Sequence, residues 1–158
     1  MLKHLTIAAT VLLSSQTAFA QDQKGWVESC QPDSCTLSRG LAEEGTGKQV
    51  MTLLLAIEKG KPDVRFGVAL PLGVALSPGV RVIHGDKTTD IPFEVCFPDG
   101  CRALITMDAA TFAAFAANAS VDVRFFPFSA STPVALTAPM DGLADAVTAA
   151  AQKLDGTP

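Results

Sequence analysis

A chain of 158 residues with a formal net charge of −4 and 48% hydrophobic residues is sized for one globular domain. It carries no cluster of Lys and Arg for a phosphate backbone, so nucleic acid is excluded as an expected partner. Beyond the N-terminal region the longest apolar run is "VMTLLLAI" (Val50–Ile57). That is strand-sized and far short of the about 20 residues a membrane-spanning helix needs, so no transmembrane span is expected in the mature chain.

The first segment, residues 1–20, reads as a secretory signal peptide. Lys3 and His4 make a short basic start, Leu5–Leu13 is apolar, and Ala18-Phe19-Ala20 is a small-x-small cleavage site. The apolar run is too short for an anchor, and a lipoprotein would need a cysteine at the cut, whereas the first cysteine is Cys30. Cleavage near Ala20 predicts a periplasmic or envelope-exported protein whose single β-rich, disulfide-stapled domain occupies residues 21–158. Removing Lys3 from the 12 basic residues leaves 11 against 16 acidic ones, a mildly acidic mature chain.

"WVESC" and "TLSRGLA" predict two short strands around a turn, and "EEGTG" (Glu43–Gly47) a second turn. The run Val50–Ile57 does not alternate, which predicts a central strand covered on both faces. "DVRFGVALP" alternates, with Val64, Phe66, Val68 and Leu70 on one face. "PLGVALSPG" turns twice, and "VRVIHGDK" with "TTDIPFEVC" predicts a hairpin around Gly85-Asp86. Ile91–Met107 predicts another hairpin, closed near Cys96 and Cys101. Asp108 is placed to cap a helix starting at Ala109, with Met107 stapled to Phe112 and a stripe of Phe112, Phe115 and Ala116. "VDVRFFPF" and "TPVALTA" predict strands, and "MDGLADAVTAAAQKL" a helix with Leu143, Val147, Ala150 and Leu154 on its docking face. The fold class is mainly β: a two-sheet antiparallel β-sandwich with two short covering helices.

Four cysteines occur as "CQPDSC" (Cys30–Cys35) and "CFPDGC" (Cys96–Cys101). An even count in an exported chain points first to disulfides, and each loop holds a Pro-Asp pair that favours a tight turn. Local pairing, Cys30 with Cys35 and Cys96 with Cys101, competes with two crossed connectivities that would need the turns to meet. Gly100 is suited to positive φ beside Cys101. A zinc cage and a catalytic dithiol are the alternatives. The spacing is at the edge of the zinc pattern, and it is wrong for a C-x-x-C redox site. No metal and no cofactor is expected.

Catalysis finds little support in the residues. His84 is the only histidine after the leader and reads as a surface residue beside a turn. No G-x-S-x-G surrounds a serine. Asp33, Asp86, Asp99 and Asp108 sit at turns and caps, where backbone bonding explains them. No catalytic residue is assigned, and Trp26 is expected to pack on the first disulfide. One stretch does suggest a contact surface. Strand alternation puts Arg124, Phe126 and Phe128 on one face, an Arg beside aromatics of the kind enriched in binding hot spots. The competing reading makes the two rings the seat of the C-terminal helix.

Taken in order, Trp26 before Cys30 and Cys35, "LPLGVAL" (Leu70–Leu76) with "PGVRVIHGD", "PFEVCFPDGCRALITMD" (Pro92–Asp108) and "VALTAPMDGLADAVTAA" resemble the invasion-associated locus B family of exported alphaproteobacterial proteins. The family usually carries Gly-Phe where this chain has Gly142-Leu143. The resemblance implies a periplasmic or envelope location and a β-rich fold, and it brings no catalytic residues. It points to a non-enzymatic protein that binds another macromolecule, an unknown protein or envelope component, in the envelope or at a host interface. The alternative is a small periplasmic enzyme or thiol-redox factor.

Overall fold

The computed structural model describes residues 25–43 and 45–156. The signal peptide and cleavage site expected over residues 1–20 lie outside the described residues. Ten strands and two helices follow in chain order: β1 (Val27–Gln31), β2 (Ser34–Ala42), β3 (Gln49–Glu58), β4 (Val64–Leu70), β5 (Val80–His84), β6 (Lys87–Ile91), β7 (Phe93–Phe97), β8 (Gly100–Met107), α1 (Ala109–Ala116), β9 (Ser120–Phe125), β10 (Val134–Pro139) and α2 (Leu143–Asp155). They form a six-stranded sheet, β1-β2-β3-β4-β8-β7, and a four-stranded sheet, β10-β9-β5-β6, antiparallel throughout. The two-sheet expectation with two helices holds.

Period-2 patterning builds the core. Met51, Leu53, Leu55 and Ile57 of β3 face inward with Val64, Phe66, Val68 and Leu70 of β4. From the other sheet Val80, Val82, Val121 and Val123 join the same buried cluster. Phe115 of α1 is fully buried, its ring 4.7 Å from Phe66 and 5.0 Å from His84. β3 is central as expected, but it is not covered on both faces: Val50, Leu54 and Ala56 are only half-buried. The reason is that the core, with α2 lying on β1–β3, occupies a single face of this sheet.

Asp108 caps α1, accepting from the Thr111 amide at 2.7 Å, and Met107 and Phe112 are both buried at its start. α2 buries Leu143, Ala150 and Leu154, with Val147 partly buried. Arg39 anchors its entry from inside the sandwich. It is 8% exposed, donates to the Asp141 carbonyl at 3.0 Å and pairs with the Asp141 carboxylate at 2.9 Å.

Two further segments depart from the sequence reading. The hairpin predicted over Ile91–Met107 begins only at Phe93, because Ile91 belongs to β6 in the four-stranded sheet and β7 to the six-stranded one. Pro92 stands at the crossing, where a residue without an N–H suits a break in the ladder. Trp26 does not lie at the first disulfide. It is one residue before β1, four residues or about 13 Å of strand from Cys30, and its ring edge reaches Gly142 at the start of α2. The apolar entry to α2 lies there, and a large ring buries more surface against it than against a turn at the sheet edge.

Candidate functional site

The two Pro-Asp turns are two-residue hairpin loops. Gln31 opposes Ser34 and Phe97 opposes Gly100, which leaves Pro32-Asp33 and Pro98-Asp99 as the loops. One register step back, Cys30 faces Cys35 and Cys96 faces Cys101, and both pairs form disulfides. Local pairing is thus set by the hairpin register rather than by tertiary contact. Gly100 adopts φ +141°, and a side chain there would overlap the Leu70 carbonyl. The bridges tie β1 and β7, the two edges of the six-stranded sheet, to their inner neighbours. Glu28, Cys30 and Cys35 bring ligand-type atoms within 4.8 Å of one another. Both sulfurs are engaged in the S–S bond, which leaves no thiolate, and Glu28 is held by Lys153 at 2.7 Å.

His84 is buried at 8% exposure, not on the surface as its sequence position suggests. It ends β5 on the inward phase of the strand, shares a hydrogen bond of 3.1 Å with the Thr89 hydroxyl and lies edge-on to Phe115. Burial holds its pKa below the ordinary histidine value; Lys87 acts in the same sense and Asp86 against it. The histidine serves packing.

The Arg124, Phe126 and Phe128 group divides. Val121, Val123 and Phe125 point into the core, as strand alternation requires, and Arg124 is exposed on the other face. Phe126 is half-buried and Phe128 is 75% exposed. α2 seats on β1–β3 instead, so Phe128 is not its anchor. What holds Phe128 out is a connection that the sequence reading missed. The loop after β4 pairs with the chain after β9: the Ala75 amide donates to the Phe126 carbonyl at 2.8 Å and the Phe128 amide to the Gly73 carbonyl at 2.7 Å, around a Val74–Pro127 bridge. A tight turn follows, closed by the Ala130 amide on the Pro127 carbonyl at 3.0 Å. Its third residue, Ser129, has φ +63°, a position that glycine normally fills. Phe128 stands at the corner of this turn.

The paired loops form a short ribbon with Leu72 and Leu76, 58% and 51% exposed, beside Phe128. Phe66–Val80 and Phe125–Met140, the two stretches that build it, contain no charged residue. The signal for the ribbon was present as two uncharged stretches rich in Pro and exposed-type turns, but their pairing is non-local.

These features define a class: a disulfide-stapled, two-sheet antiparallel β-sandwich that presents large apolar side chains on a paired-loop ribbon. The profile of the Invasion associated locus B (IalB) protein family matches residues 17–151, and the chain belongs to that family. An invasion protein B homolog of Brucella abortus (strain 2308) is 28% identical over 153 residues, covering 92% of this chain and 87% of the relative. A homolog from Brucella abortus biovar 1 (strain 9-941) matches to the same extent. The crystal structure of invasion associated protein B from Bartonella henselae superposes with a TM-score of 0.71 at 19% identity, over 82% of this chain and 94% of that one, a likeness of fold.

Proposed function

We propose that this protein is an exported, non-enzymatic component of the cell envelope. Cleavage near Ala20 releases it to the periplasm or the envelope surface, where it binds another macromolecule or envelope component, or a partner at the host interface. Membership of the invasion-associated family supports the envelope role. The observation that carries the binding role is the exposed apolar group Leu72, Leu76 and Phe128 on the ribbon. Large apolar side chains grouped outside the core mark interaction sites more often than they serve stability. Arg124 lies one residue behind the ribbon and Phe126 supports its base. Phe128→Ser leaves the melting temperature unchanged and weakens chemical crosslinking to the envelope partner in intact cells. A variant that crosslinks as the parent does refutes the assignment. Phe126→Ser, by contrast, lowers stability, because that ring is half-buried.

A further inference from the structure

Resting on the reading of the ribbon as the contact surface, we propose that the component it meets is a phospholipid bilayer, with Leu72, Leu76 and Phe128 entering the boundary between headgroups and acyl chains. Three observations separate this partner from a protein.

The first is shape. The three exposed side chains sit on a loop and a turn whose backbones pair with each other, and none of them lines the cavities beside Pro71, at the start of α2 or at the β3–β4 turn. A protein partner would need a pocket cut to them, whereas an acyl layer accepts any apolar shape. Pro71, Pro78, Pro127 and Pro133 restrict the backbone around them, so little conformational freedom is lost on insertion.

The second is the distribution of charge along the ribbon. Neither ribbon stretch contains a charge, and the polar side chains are the hydroxyls of Ser77, Ser129, Ser131, Thr132 and Thr137. Charge starts again at the foot. Lys48, Asp99 and Arg102 line a cavity of about 420 Å³ beside Pro71. An uncharged ribbon whose polar side chains are hydroxyls, with charge resuming at its foot, suits the boundary between acyl chains and headgroups.

The third is an arrangement that the fold alone does not explain. Arg81 and Arg124 lie directly opposite each other across β5 and β9, each one residue from the point where its strand meets the ribbon. Like charges in opposed positions destabilise a sheet. Arg81 is paired with Asp90, at 2.7 and 3.0 Å. Arg124 is exposed and has no ion pair among the described residues. A phosphate headgroup meeting the sheet at this level supplies the missing anion, to which a guanidinium binds in a two-pronged fashion.

The test is sedimentation of the purified exported protein, disulfides intact, with vesicles of phosphatidylethanolamine and phosphatidylglycerol (3:1) and with pure phosphatidylcholine vesicles. The protein is expected to sediment with the first, and to stay bound at high salt because apolar insertion rather than net charge holds it. Leu72→Ser, Leu76→Ser and Phe128→Ser together are expected to lower the bound fraction by about tenfold or more without moving the melting temperature. Arg124→Gln is expected to weaken binding by a smaller factor. In a Phe128→Trp variant, whose indole reports on the ribbon itself, emission shifts to the blue on vesicle addition. Absence of binding by the parent protein, or equal binding by the triple variant, overturns the inference. Capture of a protein from position 128 in intact cells, with no vesicle binding, also overturns it while leaving the envelope-contact reading in place. If position 128 reaches neither lipid nor protein, both fall.

Discussion

The strands β4, β8, β5 and β9 end in opposite chemistries. At their Val64, Met107, His84 and Ser120 ends lie charged turns: Lys59–Asp63, Asp108 and Gly85–Lys87. Several groups here have local work. The Lys59 amide bonds the Asp33 carbonyl, Lys61 pairs with Glu58, and Asp108 caps α1. At their Leu70, Val80 and Phe125 ends the chain makes the uncharged ribbon, beside the Asp99–Arg102 pair at the start of β8, and there Leu72, Leu76 and Phe128 remain in water. Folding accounts for the first end. It does not account for the second, since apolar side chains left exposed contribute nothing to the core. The difference is the ground for proposing contact at the end that stability leaves unexplained.

Substituting the same residue type in the two settings gives the largest contrast. Phe115→Ala removes a fully buried ring packed against Phe66 and His84 and should cost about 3–5 kcal/mol. Phe128→Ala should stay within about 0.5 kcal/mol of the parent, as exposed substitutions do. Urea denaturation of both variants checks the pair; a large loss at Phe128 would mean that the ribbon is core.

The disulfides serve both ends, one at each. Cys35 stands level with Ile57 and Val64 at the charged end, and Cys101 opposes Leu70 at the ribbon end. Replacing either pair with serine closes no loop in the unfolded chain and should cost about 2 kcal/mol, the low end for such short loops. The two losses should add, because the bridges share no partner. Only removal of Cys96–Cys101 is expected to change binding as well, since that turn adjoins the start of the ribbon.

Ser129 offers a smaller change of opposite sign. Ser129→Gly relieves the left-handed backbone and should stabilise by up to about 1 kcal/mol, part of the gain being offset by the greater freedom of glycine in the unfolded chain. The same substitution loosens the corner that holds Phe128 out, so binding should weaken while the melting temperature rises.

The smallest effect is the pH dependence at the charged end. The His84 pKa is lowered by burial in the folded protein, so the unfolded chain takes up its proton first as pH falls. Stability is therefore full above about pH 6.5 and declines as the pH drops toward the folded value. Asp90 and Asp108 are lowered by hydrogen bonds from Arg81 and Thr111, and Glu58 by its partner Lys61. They change stability in the same sense only near and below about pH 4, where unfolded carboxylates titrate. Between pH 5 and 7 a His84→Gln variant should show a flatter profile than the parent.

Much of the fold could be read from local patterns. Alternation assigned the inward faces of β4 and β9, Pro-Asp between cysteines marked both hairpins, and Asp108 marked the start of α1. These signals span a few residues, and the structure keeps them. The departures all involve partners distant in sequence. His84 is buried because α1 brings Phe115 over it, and Trp26 meets Gly142 because α2 returns to β1. Pro92 passes between sheets, which hydrophobic periodicity does not register. The candidate surface was half visible: alternation placed Arg124 outside. Whether Phe128 served the core or the surface depended on the Gly73–Phe128 bond and the Ser129 turn, and Leu72 and Leu76 joined the site only through that pairing.

The central claim is that contact with the envelope is made by the ribbon end and not by the charged end. A photo-crosslinking amino acid placed at Phe128, and separately at Lys61 in the β3–β4 turn, tests it in intact cells expressing the full chain. Illumination is expected to give envelope adducts from position 128 and none from position 61. Adducts from position 61 alone, or equal yields from both, would contradict the account.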